Sequence, residues 1–202
     1  MFTGIIKHIG LVVSNTQEQD GKVLTVKILN VKQAIDIGDS ISIEGCCLTV
    51  IKIDGDCFSF YISKETLKQT TLALLVKGQH VNTEPAILAS TPLGGHLVSG
   101  HVDEVARITT VEFNQNTYKI HVELSPQGKK GVVKKGSIAI NGVSLTVMNI
   151  NGKIIELNII PHTWNNTTLC ILNDSTNNLV NVEFDQMVKI INKKIDEHFA
   201  NR

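Results

Sequence analysis

Short apolar runs along this chain alternate with polar positions in a pattern typical of half-buried β-strands. The clearest run has Ile155, Leu157 and Ile159 alternating with Glu156 and Asn158. A period of two gives such a strand one buried face and one solvated face. The pattern therefore predicts extended structure rather than a helix in this region.

Two dipeptides mark places where such strands turn back on themselves. Asp54-Gly55 and Asn151-Gly152 each stand between apolar, β-branched runs. Asp-Gly and Asn-Gly readily adopt the positive φ angles that tight hairpin turns require, so we predict a β-hairpin at each. A polar, threonine-rich stretch follows each hairpin, at Lys64 to Leu72 and at Pro161 to Leu169, and is long enough for one short helix.

The end of the chain has a helical period instead. Asp185 can cap the first turn, and the residues after it place an apolar stripe on one face, formed by Val188, Ile191, Ile195 and Phe199. A helix this short is marginal alone, so its apolar face is expected to pack against something. The residues leave two alternatives equally open, another subunit or the helix's own domain.

The chain contains two copies of one pattern. Residues 38–50 read GDSISIEGCCLTV and residues 136–147 read GSIAINGVSLTV. Further matches follow in the same order: Glu65-Thr66 with His162-Thr163, Thr70-Thr71-Leu72 with Thr167-Thr168-Leu169, Val81–Glu84 with Val180–Glu183, and, near the start, Thr3-Gly4 with Ser99-Gly100. Such a series indicates two homologous domains. Many short strands in so small a unit favour a closed or nearly closed barrel, because closure removes exposed sheet edges.

Composition narrows the possible functions. The chain has 202 residues, and its nineteen basic residues balance nineteen acidic ones. It therefore has no overall field to gather nucleic acid or an anionic membrane. The first residues lack an apolar stretch of signal-peptide length and no apolar run could span a bilayer, so a cytoplasmic location is expected. The four cysteines show no Cys-x-x-Cys spacing, so reduced thiols and no metal site are expected.

Several motifs in combination resemble the riboflavin synthase family of lumazine-binding repeat proteins. As they stand in this chain they are MFTGI at 1–5, GCCLTV at 45–50, KETL at 64–67, GHLVSGHV at 95–102 and NGVSLT at 141–146. The resemblance covers essentially the whole chain. It implies an all-β fold of two tandem six-stranded Greek-key β-barrels, at residues 1–96 and 97–186. It also implies a C-terminal α-helix at 187–202 that forms the contacts of a homotrimer.

The resemblance also implies an activity. Members of this family transfer a four-carbon unit between two molecules of 6,7-dimethyl-8-ribityllumazine, which gives riboflavin and 5-amino-6-(D-ribitylamino)uracil without a cofactor. Each barrel would bind one lumazine, and an active site would form between the N-terminal barrel of one subunit and the C-terminal barrel of the next. Lumazine synthase is a further implied partner. A duplicated domain suits a reaction that consumes two copies of one substrate.

Positions where the two repeats differ are candidates for catalysis, since donor and acceptor must be treated differently. Cys47 falls on Ser144, and His101 falls on Ile5. A thiol or hydroxyl can attack or hydrogen-bond an electrophilic ring carbon, and histidine moves protons near neutral pH. Equally, the first two could be small wall residues, His101 could be satisfied by a carbonyl, and water could add to the ring. With the residues that the resemblance adds, the predicted catalytic set is Cys47, His101, Ser144, Thr146 and Asp185.

The predicted ligand contacts extend over both repeats. Hydroxyls kept in both halves, such as Ser40 with Ser137 and Thr49 with Thr146, suit a polar heterocycle and its ribityl chain. Besides the catalytic set, the resemblance implies contacts from Gly4, Ile5, Ile6, Leu48, Thr49, Tyr61, Ile62, Ser63, Lys64, Glu65, Thr66, Gly100, Val102, Lys135, Leu145, Ile159, Ile160, Pro161, His162, Thr163 and Trp164.

Two other classes of function are alternatives to a riboflavin synthase activity. A non-catalytic lumazine or flavin carrier of the same superfamily would be expected to lose reactive groups, whereas this chain keeps Cys47, Ser144, His101 and Asp185. A Cys–His hydrolase would pair Cys47 with His101, yet the sequence offers no oriented third partner. On a strand, His96 and His101 would point to opposite faces, so they are not predicted as a metal pair.

Overall fold

Two closed antiparallel barrels of six strands each, one per repeat, make up most of the protein. We describe them from a computed structural model, which covers residues 1–173 and 178–200. The first barrel contains β1 (His8–Glu18), β2 (Gly21–Lys27), β3 (Ser40–Ile43), β4 (Cys46–Asp54), β5 (Cys57–Ile62) and β6 (His80–Pro85). The second contains β7 (Glu104–Asn114), β8 (Thr117–Glu123), β9 (Ser137–Ile140), β10 (Val143–Asn151), β11 (Ile154–Ile159) and β12 (Leu179–Phe184).

Both barrels have the same connectivity. The strands of the first follow the order β1-β2-β5-β4-β3-β6, and those of the second follow the equivalent order β7-β8-β11-β10-β9-β12. Along β11, Ile155, Leu157 and Ile159 are buried while Asn158 is exposed. The predicted alternation and the tandem six-stranded barrels are therefore confirmed.

Both predicted hairpins form, but each turn lies one residue later in the chain than the predicted dipeptide. Asp54 pairs with Cys57 and Asn151 pairs with Ile154, so each turn begins at the glycine, with φ of 57° at Gly55. A second pair of tight turns, not predicted, joins β3 to β4 at residues 44–45 and β9 to β10 at residues 141–142. Both residues of each turn have positive φ, as a type I′ turn requires.

Within the described residues, three α-helices complete the fold. α1 (Lys64–Gln69) and α2 (Pro161–Asn165) form in the two threonine-rich stretches, and each is followed by a 3₁₀ turn, at Thr71–Leu74 and Thr168–Asn173. α3 (Gln186–Ala200) follows β12. The predicted short helices are thus confirmed.

The C-terminal helix begins as predicted. Oδ1 of Asp185 accepts a hydrogen bond from the backbone N–H of Met187 at 2.8 Å and so caps α3. Most of the predicted stripe does not pack on its own barrel, since Ile191 is 52% exposed and Phe199 is 67% exposed, whereas Val188 is half-buried. The last two residues of the predicted segment, 201 and 202, lie outside the described residues. No helix within the described ranges has both the length and the apolar character needed to cross a membrane.

The two barrels meet along a seam formed by the turns at 44–45 and 141–142. The backbones of the two turns are in contact: a Cβ on Gly45 would lie only 2.5 Å from the backbone nitrogen of Gly142. Equivalent asparagines cross the seam in both directions. Nδ2 of Asn82 donates to the carbonyl of Asn141 at 2.9 Å, and Nδ2 of Asn181 donates to the carbonyl of Glu44 at 2.8 Å. The two repeats are therefore related by an approximate twofold axis at the seam.

Candidate functional site

The predicted reactive residues lie on the outer walls of the barrels rather than in their interiors. Along β4, Cys47 and Thr49 alternate with the buried Leu48, and Thr49 is exposed. Ser144 and Thr146 occupy the same places on β10. Because side chains alternate across a strand, all four of these side chains face away from the barrel cores.

Neighbouring strands add more hydroxyls to these outer walls. Ser40 stands opposite Thr49 and Ser42 stands opposite Cys47. In the second barrel Ser137 stands opposite Thr146, whereas Ala139 stands opposite Ser144. Side chains directly opposite each other on antiparallel strands lie close together. Each barrel therefore carries a small polar wall that can hydrogen-bond a heterocycle, and the two walls differ at the reactive position.

Two short segments cover these walls, and each belongs to the repeat of the other barrel. We call residues 3–6 the N-terminal crossing segment and residues 99–102 the central crossing segment. The carbonyl of Gly4 accepts a hydrogen bond from the N–H of Ser144 at 2.8 Å, and the carbonyl of Gly100 accepts one from the N–H of Cys47 at 2.8 Å. Glycine is required at Gly100, which has φ of +81°, because a Cβ there would lie 2.5 Å from the Cβ of Cys47.

A buried carboxylate fixes each crossing segment. Glu84 accepts hydrogen bonds from the N–H and the hydroxyl of Thr3, both at 2.7 Å, and from the N–H of Gly4 at 3.0 Å. Burial raises the pKa of Glu84, and these hydrogen bonds oppose the rise. Glu183 holds Ser99 and Gly100 in the same way, at 2.6 to 2.8 Å. Sequence reasoning missed both clamps, although Glu84 and Glu183 align in the repeat.

The first barrel has a cavity of about 250 Å³ at its polar wall. It brings together six of the residues predicted to contact ligand, namely Cys47, Glu65, Thr66, Gly100, His101 and Val102. His101 is exposed there. The adjacent thiol of Cys46 is buried, and burial raises its pKa to about 12, so it is unreactive at neutral pH. The half-buried Cys47 is therefore the candidate nucleophile of this cavity.

The second barrel offers a histidine that the sequence analysis did not include in the site. Nδ1 of His96 lies 2.7 Å from Oγ of Ser144. The strand assumed for residues 96–101 is wrong, because only Val98 forms an isolated bridge, with Phe2. His96 and His101 instead reach the polar walls of different barrels. The signal that could have found His96 is its place in GHLVSGHV, beside a segment that aligns with the start of the chain.

Asp185 has two effects. It caps α3 through Oδ1, and its charge raises the pKa of His96. The charge of Glu183 acts in the same direction, but burial outweighs both and lowers the pKa of His96 below its ordinary value. The neutral imidazole is therefore favoured.

Several predicted contact residues have side chains within the barrel cores rather than at the walls. They are Leu48, Ile62, Leu145, Ile159 and Trp164, the last stacked on Tyr118 at 4.2 Å. Lys135 is exposed, with Nζ 3.6 Å from the sulfur of Met148. Contact between these residues and a ligand stays a prediction. Within residues 1–173 and 178–200, no three or more His, Cys, Asp or Glu side chains are grouped so that they could hold a metal ion.

Comparison with known proteins places this geometry in context. The family model of the lumazine binding domain matches residues 3–86 and 99–185. The riboflavin synthase of Bacillus subtilis is 37% identical over 202 residues, which covers 100% of this chain and 92% of that protein. The riboflavin synthase of Photobacterium leiognathi is 39% identical and that of Schizosaccharomyces pombe 36%, each over 100% of this chain and over 93% and 97% of the relatives.

Solved structures of a lumazine-binding protein, LumP, have a similar fold. LumP complexed with riboflavin superimposes with a TM-score of 0.83 at 25% identity, over 91% of this chain and 99% of that one. LumP complexed with 6,7-dimethyl-8-(1'-D-ribityl) lumazine gives a TM-score of 0.80 at 26% identity, over 91% of this chain and 98% of that one.

Proposed function

Because the chain belongs to the riboflavin synthase family, we propose that its two polar walls each bind one molecule of 6,7-dimethyl-8-ribityllumazine. The enzyme is a transferase, and its reaction passes a four-carbon unit from one lumazine to the other. The products are riboflavin and 5-amino-6-(D-ribitylamino)uracil, and the step is the last in riboflavin biosynthesis. The observation that carries the proposal is the pair of equivalent walls that differ at Cys47 and Ser144.

The shared hydroxyls would hold the part of the substrate that both sites have in common. Ser40 with Thr49, and Ser137 with Thr146, form equivalent cross-strand pairs beside each reactive residue. Short hydroxyls both donate and accept, so they suit the ring oxygens and the ribityl chain. The differences at the reactive position, a thiol beside the exposed His101 and a hydroxyl beside His96, would then let one lumazine act as donor and the other as acceptor.

The exposed face of α3 supports a homotrimer. Three of the four stripe residues, Ile191, Ile195 and Phe199, are exposed in the single chain. The helix is nevertheless held in a fixed direction, because Nζ of Lys189 lies 2.9 Å from Oδ2 of Asp103. An exposed apolar stripe on a positioned helix is stabilised when it packs against equivalent helices. In such an assembly the first barrel of one subunit would complete its active site with the second barrel of the next.

Location and partners follow from the same proposal. We place the enzyme in the cytoplasm, where riboflavin biosynthesis consumes lumazine, and association with lumazine synthase stays a prediction. The reaction moves carbon between two like molecules, so it needs no external oxidant, and we expect no cofactor requirement.

The decisive experiment supplies purified protein with the lumazine alone, in the presence of a metal chelator. We expect riboflavin to accumulate, with two lumazines consumed for each riboflavin formed, as measured by chromatography and absorbance. A variant with both Cys47→Ala and Ser144→Ala serves as the matched control and should form far less riboflavin. A protein that binds lumazine and leaves it unchanged would be a carrier. A protein that does not bind lumazine would be neither a synthase nor a carrier. Either result contradicts the proposal.

A further inference from the structure

His96 contacts the candidate reactive residue of the second barrel, and no described residue makes the equivalent contact in the first barrel. Nδ1 of His96 lies 2.7 Å from Oγ of Ser144. Cys47 is the counterpart of Ser144 in the first repeat, and no side-chain hydrogen bond from the described residues reaches its thiol. The two half-sites therefore differ in the environment of the reactive atom as well as in its identity.

The backbone holds the imidazole of His96 against Ser144. The N–H of His96 donates to the carbonyl of Thr3 at 3.2 Å, and Thr3 is itself clamped by Glu84. A Cβ on Gly95 would lie 2.2 Å from that carbonyl and 2.9 Å from Oγ of Ser144. Only glycine permits so close an approach, so the position of the ring is built into the crossing of the N-terminal segment.

Burial favours the neutral form of the His96 ring, and one of the two neutral tautomers can accept a proton at Nδ1. Burial lowers its pKa, and the charges of Asp185 and Glu183, at the end of β12, offset this only in part. Nε2 is buried and meets no hydrogen-bond partner among the described residues. A neutral imidazole with its hydrogen on Nε2 leaves the lone pair of Nδ1 free to accept from the serine hydroxyl.

On the basis of the proposed function, we propose that His96 is the positioning residue of the second barrel. His96 accepts the hydroxyl proton of Ser144, and this makes Oγ of Ser144 the nucleophile of that half-site. As the bond from Oγ to an electrophilic ring carbon forms, the displaced π pair moves through the conjugated ring to a ring nitrogen. The hydroxyl proton passes to Nδ1, and reversal of the step returns it to the serine. The step requires no oxidant and no further reactant.

A double-mutant cycle tests whether His96 acts through Ser144. In His96→Asn the amide oxygen can still accept a hydrogen bond near the place of Nδ1 but cannot take up a proton. We expect kcat to fall about 100-fold, the usual size of a general-base effect, with little change in KM. In a Ser144→Ala background the same change should alter kcat less than about twofold, because the proton to be accepted is already absent. His80→Asn, an exposed histidine on β6, is the matched control and should keep full activity.

A second readout does not depend on riboflavin formation. An aryl sulfonyl fluoride reacts with activated serines, so mass spectrometry should find it on Ser144 of the wild-type enzyme, at a rate at least about tenfold higher than in His96→Asn. Equal labelling rates, or additive effects of the two substitutions on kcat, would overturn the role of His96. If the wild-type protein makes no riboflavin, the proposed function fails, while the labelling rates still decide whether His96 activates Ser144.

Discussion

Glu44 lies fully buried at the seam between the barrels, where its repeat counterpart is the neutral Asn141. Its Oε1 accepts hydrogen bonds from the N–H of Asn82 at 2.5 Å and from the hydroxyl of Thr168 at 3.0 Å. Burial outweighs these bonds and raises the pKa of Glu44 from 4.5 to about 7. A second carboxylate at position 141 would repel an ionised Glu44 in this buried site, whereas the neutral side chain of Asn141 hydrogen-bonds Glu44.

Glu44→Gln should remove a pH dependence of stability. A carboxyl whose pKa is raised by folding stabilises the fold fully below pH 4.5 and loses that contribution as the pH rises to about 7. The loss amounts to about 3 kcal/mol, so at pH 8 the variant should exceed the wild type in free energy of unfolding by that order. Urea denaturation from pH 5 to 8 measures this, with the exposed Glu18→Gln as control. Parallel curves for Glu44→Gln and the wild type would contradict the assignment.

Cys47→Ser converts the reactive position of the first repeat to that of the second. If the thiol takes part in the transition state, kcat should fall about tenfold, or about 1.4 kcal/mol, with KM nearly unchanged. Riboflavin formation under steady-state conditions measures both constants. Cys57→Ser changes a half-buried thiol elsewhere in the same barrel and should leave them unaltered. Full activity in Cys47→Ser would show that the thiol has no special role.

At the scale of elements, each crossing segment contacts both barrels, whereas a simple linker would only connect them. Each is clamped by a glutamate of its own barrel, and each covers the reactive residue of the other. The cavity at Cys47 therefore contains Gly100, His101 and Val102, which precede the second barrel. A site assembled in this way depends on the correct packing of both repeats.

Gly100→Ala should displace the central crossing segment and disable the first half-site. The added Cβ would meet Cys47 at 2.5 Å in a backbone of φ +81°. We expect riboflavin formation to fall at least about 100-fold and lumazine titration to lose one binding site per chain. Gly78→Ala is the matched control, because φ there is +91° and nothing lies within 4 Å of the new Cβ. If the two variants lose equal stability and activity, backbone strain alone causes the loss, and the close contact between residue 100 and Cys47 has no effect.

On the scale of the whole molecule, polar groups of α3 contact the second barrel. Lys189 pairs with Asp103, and Nδ2 of Asn192 donates to the carbonyl of Lys130 at 2.6 Å. Polar contacts of this kind hold the direction of the helix, while the apolar stripe remains available to other subunits.

Ile191→Asp combined with Ile195→Asp should break the proposed trimer. Both side chains are about half exposed in the single chain, so the fold of each barrel should survive, whereas charges buried between helices strongly disfavour association. Sedimentation should shift from trimer to monomer, and activity should drop sharply because the half-sites come from different chains. Lys194→Asp, on the same helix, should do neither. A double variant that remains trimeric would contradict the role of the stripe.

The sequence by itself determined the elements and their duplication. Strand alternation at 155–159, the hairpins at 54–55 and 151–152 and the stripe of α3 are local patterns whose period follows from backbone geometry. The repeat then predicted two similar barrels, because similar sequences adopt similar folds. It also identified Cys47 and Ser144 as a candidate reactive pair, since they align as residues that differ within a shared motif. The division at residues 96 and 97 stays a prediction.

Only the tertiary structure decided what crosses between the repeats. The contact of His96 with Ser144, the clamps of Glu84 and Glu183 and the burial of Glu44 at the seam all join residues far apart in the chain. Local pattern cannot reveal them, because each depends on how the two units pack about their approximate twofold axis. That packing places the start of each repeat on the wall of the other barrel, and it thereby gives Cys47 and Ser144 different surroundings.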